Sequence, residues 1–165
     1  MDVVAAFAEG NRKFAEHEFL PRLTMGPSLN TVVIACLDAR VDPAVVLGVE
    51  QGQIAVIRNV GGRVTPHTVL ELVVLQEVAR AAGSDIGAGW EIVVLQHTRC
   101  GLTLLRDRAE LLGPYFETEQ LAEVSVGEPK AAVAHDVAVL RAESRLAGVR
   151  VSGLVYDVET GLVTP

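Results

Sequence analysis

The six residues Thr31-Val32-Val33-Ile34-Ala35-Cys36 are β-branched or small, and apolar on both faces. That pattern marks a central strand covered on each side by other elements, not a strand with one wet face. Working outward, Gln53 to Asn59 and Glu91 to His97 have the same character and read as a second and a third strand. Val149 to Val158 reads as the last, followed by a turn at Glu159-Thr160-Gly161. Helical stretches lie between. Pro43, behind Asp42 as cap, opens a short one through Leu47, and Thr65-Pro66 opens a long one that runs to Ala82-Gly83. Gly101 begins another through Leu105 and Ala109, which Gly113-Pro114 is expected to break, and Lys130 to Ala147 is helical again. Strands alternating with helices of ten or more residues predict an α/β fold with a mostly parallel central β-sheet flanked by helices. A single domain is expected over 1–165, in which residues 1–20 form an N-terminal helical arm capped by Asp2.

Composition narrows the function classes. The chain has 165 residues, half of them apolar and only 21% charged, which suits a folded domain with a real core. Aromatics make up 4%, so Val, Leu, Ile and Ala must build that core. Fourteen Lys and Arg against 21 Asp and Glu give a net charge of −7, with a pI near 5.1. With no basic stripe to overrule that field, nucleic acid is not expected as a partner. No run approaches the ~18 uncharged apolar residues of a membrane helix, and Met1-Asp2-Val3-Val4 does not open a signal peptide. A cytoplasmic protein with no membrane partner is expected. In that reducing compartment the two cysteines, Cys36 and Cys100, are expected to be free, metal-bound or catalytic, not a disulfide.

Chemistry concentrates in two segments, Cys36-Leu37-Asp38-Ala39-Arg40 and His97-Thr98-Arg99-Cys100, each at the carboxyl end of an expected parallel strand. Ligands of open α/β sheets bind at that edge, where the strand order reverses. His97 comes 61 positions after Cys36, yet neighbouring parallel strands would bring the two ends together. Two thiolates and an imidazole suit Zn2+, and three protein donors leave a fourth position open, as in catalytic sites. Each segment alone is weak, since a strand-end cysteine is commonly a small buried hydrophobe. His17, His67 and His135 sit in no ligand spacing. Asp38 and Arg40, two positions apart, can form a charge-assisted pair that keeps Asp38 ionised and oriented. Asp38 could then either fill the fourth metal position or turn away and accept a proton from bound water.

These segments resemble the Cys-x-Asp-x-Arg and His-x-x-Cys-Gly motifs of β-class carbonic anhydrases of the short bacterial type. Arg58-Asn59-Val60-Gly61-Gly62 is similar to the family's Arg-Asn-Ala-Gly segment, and Val151 to Gly161 is similar to its final strand and turn. The resemblance implies that Cys36, His97 and Cys100 ligate zinc, that Asp38 and Arg40 form the catalytic dyad, and that Asp38 joins the metal only in a closed form. It also implies reversible hydration of CO2 to bicarbonate and a proton through zinc-bound hydroxide, in a homodimer or tetramer with active sites near the subunit interface. Related zinc scaffolds hydrolyse carbonyl sulfide or carbon disulfide, and an idle zinc-binding module is a further alternative. Arg99 stands where many family members carry Asp. Arg58, Asn59, Gly61 and Gly62 are expected to brace the metal loops.

Overall fold

The computed structural model describes residues 2–165, so Met1 of the expected arm lies outside the described residues. Among the described residues five strands form one sheet: β1 (Thr31–Cys36), β2 (Ala55–Asn59), β3 (Glu91–His97), β4 (Arg150–Tyr156) and β5 (Val163–Thr164). Their spatial order is β2-β1-β3-β4-β5, parallel throughout except for the antiparallel β5. From β1 the chain steps outward to β2, then crosses back through α3 (Pro66–Ala81) to place β3 on the other side of β1. The reversal therefore falls between β1 and β3, whose register runs from Thr31 beside Glu91 to Ala35 beside Leu95.

Burial explains the apolar runs. On one face Val32, Ile34, Ile92, Val94 and Val151 pack with Val69 and Leu72 of α3 and with Val137 and Leu140 of α5 (Pro129–Ala142). On the other, Val33, Ala35 and Leu95 meet Val41 and the short α2 (Pro43–Leu47). A third cluster of Leu102, Leu112, Phe116 and Val124 sits outside the sheet, beyond the end of β3. Capping agrees with the sequence. Asp2 accepts from Val4 N and Ala5 N, Asp42 accepts from Ala44 N and Val45 N, and Thr65 accepts from Thr68 N.

Several expectations need correction. The expected helix from Gly101 through Ala109 is two elements, a 3-10 turn at Gly101–Leu105 and α4 (Ala109–Phe116). Far from breaking the pattern, Gly113 and Pro114 lie inside α4. The proline removes one helical donor of a short helix, while Leu112 and Phe116 on either side of it are buried in the third cluster and hold the turn. β2 starts two residues late because Gln53 closes a turn onto Glu50 through both backbone and side chain. α5 ends at Ala142, where Glu143 caps a separate 3-10 turn at Ser144–Leu146. β5 adds an antiparallel edge strand that the sequence reading lacked.

Helix α1 (Val3–His17) buries none of its residues, and Val4 and Phe7 are 75% and 72% exposed. No helix among the described residues is long and apolar enough to cross a membrane.

Candidate metal centre

Cys36 is the last residue of β1 and His97 the last of β3, at the point where the strand order reverses. Cys100 follows across a turn, directly before the 3-10 segment. One donor atom from each of Cys36, His97 and Cys100 lies within 4.8 Å of the others, and the two sulfurs are 3.9 Å apart. The His97 ring is buried, and its Nδ1 is 2.9 Å from the backbone carbonyl of Thr98. That contact calls for a hydrogen on Nδ1, which leaves the lone pair on Nε2. Nε2 is buried and has no hydrogen-bond partner among the described residues. A buried acceptor without a donor is costly, and a cation beside two sulfurs would relieve it. A borderline-soft ion such as zinc fits this donor set.

The two thiols are unequal. The hydrogen bond with Cys100 pulls the Cys36 pKa down, with His97 and the backbone N–H groups of Asp38 and Gly61 acting in the same direction against burial. Cys100 is pushed up by that same bond and by burial. The pair therefore gives up its first proton readily and holds its second strongly. A bound divalent cation would favour the loss of that last proton.

Residues 37–42 form the loop beyond β1. Asp38 Oδ1 accepts from Arg40 N at 3.0 Å and from Arg40 Nε at 2.9 Å, and Oδ2 accepts from Arg40 Nη2 at 2.6 Å. This grip holds the Asp38 carboxyl well below the usual carboxylate range. With both oxygens on Arg40, Asp38 Oδ2 stands 4.0 Å from His97 Nε2. Arg58 spans the same loop, donating from Nε to the Cys36 carbonyl at 3.0 Å and from Nη2 to the Asp38 carbonyl at 2.8 Å. Asn59 pairs with the Arg63 backbone in both directions, at 2.8 Å each. Gly62 has φ +61, and a Cβ there would lie 2.5 Å from Cys36 N, so only glycine lets the turn lie flat against the end of β1.

Some residues of the site carried no sequence signal. Gln96 donates from Nε2 to the Gly62 carbonyl at 2.6 Å, and Tyr115 donates to the Val60 carbonyl at 2.7 Å. Thr98 joins the ends of β3 and β4 by donating to Asp157 and accepting from Val158 N. Arg63 forms a buried ion pair with Asp136, 73 positions away. These are ordinary residue types at ordinary spacings, and only the tertiary fold brings them to the turn. A small cavity of about 30 Å³, room for one or two waters, is lined by Gly61, Arg63, His97 and Cys100 among others. His67 and His135 lie elsewhere. His67 stands 3.6 Å from Glu71 on α3, and His135 borders a separate cleft beside Phe116 and Glu143.

Comparison with known proteins agrees with this geometry. A family model described as carbonic anhydrase matches residues 31–110, a stretch that holds both metal-loop segments. Beta-carbonic anhydrase 1 of Mycobacterium tuberculosis is 38% identical over 85 residues, which cover 52% of this chain and 47% of that protein. The chain thus spans about half the length of the curated relatives of that type. The crystal structure of a carbonic anhydrase from Streptococcus mutans superposes with a TM-score of 0.76 at 26% identity, covering 99% of this chain and 97% of that one. The apo form of a carbon disulfide hydrolase shares the fold, with a TM-score of 0.59 at 23% identity over 97% of this chain and 90% of the other.

Proposed function

We propose that the chain is a β-carbonic anhydrase, a zinc-dependent lyase catalysing the reversible hydration of CO2 to bicarbonate and a proton; the family model over residues 31–110 and the fold shared with a solved carbonic anhydrase support this reading. One observation carries the reading: the buried, unpartnered Nε2 of His97 faces two cysteine sulfurs beside an ionised Asp38. Cys36, His97 and Cys100 would hold the zinc, which when bound supplies a Lewis acid able to bring the pKa of a coordinated water to about 7.

The chain's own residues set the rest. Asp38, ionised and clamped by Arg40, can only accept hydrogen bonds. An attacking oxygen in front of it must turn its hydrogen toward the carboxylate, which leaves a lone pair for the carbon of CO2. Arg40 keeps Asp38 from closing onto the ligand cluster, because both carboxylate oxygens are engaged by the guanidinium. Arg58 and the Gly61-Gly62 turn keep the Cys36 loop from shifting against β3.

A second copy of the chain is the proposed partner. α1 offers Val4 and Phe7 to solvent, and the β2 edge with α3 exposes Val56, Leu70, Val74 and Val78 around one groove. Contiguous apolar surface of this kind marks an association face. A cytoplasmic location fits the free thiols of the site.

The test pairs metal analysis with substrate assays. Purified protein should carry stoichiometric zinc and accelerate CO2 hydration in stopped flow, with sulfide release from carbonyl sulfide and carbon disulfide measured alongside. Cys36→Ser and His97→Ala should each lose zinc and hydration together. Zinc-loaded protein that releases sulfide but leaves CO2 untouched would refute the substrate assignment, and protein that takes up no zinc would refute the site.

A further inference from the structure

Arg63 is 2% exposed and Asp136 is fully buried, yet both are charged. The guanidinium meets the carboxylate at two points, Nε to Oδ2 at 2.8 Å and Nη2 to Oδ1 at 2.9 Å. Nη2 also donates to the Val124 carbonyl at 2.6 Å, and Val64 N donates to Asp136 Oδ2 at 3.1 Å. The Phe116 ring lies under the guanidinium, 5.1 Å from centroid to Cζ. A buried ion pair is poor evidence of stabilisation, because desolvating two charges offsets most of their attraction. What a two-point guanidinium–carboxylate contact does supply is fixed geometry.

That geometry bears on the metal loops. Arg63 directly follows Gly61-Gly62, and its carbonyl is held by Asn59 Nδ2 at 2.8 Å and by Thr68 Oγ1 at 3.0 Å. Gly62 is pressed so close to β1 that no side chain would fit between it and Cys36, while Gln96, the neighbour of His97, holds its carbonyl. Gly61 packs as tightly on the other side, where an added Cβ would lie 2.5 Å from Leu102 Cδ2, two residues beyond Cys100. The turn is thus a wedge between the two cysteine-bearing segments. Its far end is anchored by Arg63 to α5 and to the 117–128 segment. Arg63 also lines the small cavity shared by His97 and Cys100.

We propose that Arg63 and Asp136 are positioning residues of the metal centre: their buried two-point contact fixes the Gly61-Gly62 wedge, and the wedge sets the separation of the Cys36 and Cys100 donors. The inference rests on reading Cys36, His97 and Cys100 as metal ligands. Groups that orient ligands from behind typically change metal affinity by about 10–100-fold. The pair should act on retention of the ion and on its ligand field more than on the fold.

Cobalt(II) in place of zinc gives a spectroscopic probe, and chelator-driven release gives a rate. In Arg63→Met/Asp136→Leu, an apolar pair of similar size removes the charges together but leaves Val64 N and the Val124 carbonyl unpaired, so thermal unfolding should stay cooperative with a midpoint somewhat below the parent's. Metal release should quicken about 10-fold or more, and the thiolate-to-cobalt charge-transfer band should move. Arg63→Lys keeps the charge without the fork and should not restore the parent release rate or band. Parent-like release and an unmoved band in both variants would overturn the positioning role. If the double variant does not fold, Arg63→Lys decides by the same two readouts. A parent protein that takes up no cobalt would sink the ligand assignment itself, and this inference with it.

Discussion

Arg40 Nη2 donates to the backbone carbonyl of Arg99 at 3.1 Å, so the guanidinium that grips Asp38 also ties the loop after β1 to the loop after β3. One side chain therefore joins the two segments that carry the ligand cluster. Arg40→Ala should leave zinc bound, because no donor of the cluster is removed, but should lower kcat about 10²-fold as Asp38 loses its orientation. Arg40→Lys should not rescue, since an ammonium cannot span both carboxylate oxygens and the carbonyl. Zinc content and CO2 hydration measured on the same samples check this, and full activity in Arg40→Ala would remove Arg40 from the mechanism.

Arg99 sits at φ 54, in the left-handed region, between His97 and Cys100. Asn adopts that region far more readily than Arg, whose strain there is worth roughly 1 kcal/mol. The ion pair of Arg99 with Glu159 is exposed on both sides and contributes little. Arg99→Asn should therefore raise stability by roughly 1 kcal/mol. A urea midpoint that rises with an unchanged slope checks it.

Gly62 and Gly48 separate backbone strain from crowding. Their φ values are similar, +61 and +65, but an added Cβ meets Cys36 N at 2.5 Å in one case and nothing within 4 Å in the other. Gly48→Ala should cost about 1 kcal/mol from strain alone, whereas Gly62→Ala should cost more than about 3 kcal/mol and loosen the metal. Equal losses in the two variants, read by chemical unfolding with zinc content in parallel, would show that the Gly62 contact is unimportant.

Burial pushes Tyr115 up to about 12 from an ordinary value of 10. Below pH 10 its phenol is neutral in both folded and unfolded chains and contributes no pH dependence. Between about pH 10 and 12 the unfolded chain ionises first, so stability should fall as pH rises through that window. Tyr115→Phe should flatten that part of the profile, at a cost near 1 kcal/mol at neutral pH from the lost bond to the Val60 carbonyl. Phenolate absorbance and unfolding midpoints across alkaline pH test both statements.

The parts of this molecule that sequence made legible are those where local pattern and tertiary environment make the same demand. β1 and β3 fall on their expected residues because a strand covered on both faces requires an uninterrupted apolar run. Asp2, Asp42 and Thr65 cap helices because the free N–H groups they satisfy are local. That Cys36, His97 and Cys100 meet was also legible, since parallel neighbours end at the same edge. Pro114 was misread because burial of Leu112 and Phe116 outweighs a local breaker signal. Arg63 and Asp136 were invisible for a different reason. Neither residue type nor spacing marks two charges that the fold alone brings together.

Because Cys36 ends one strand and His97 another, with the whole of α3 between them in the chain, no short piece of the unfolded polypeptide can present all three donors at once. Capture of the proposed ion by all three donors would require the parallel pairing of β1 with β3, a long-range contact that is slow to form. Loading would thereby report completed folding, since β1 and β3 are neighbours in the middle of the sheet and parting them would divide it in two.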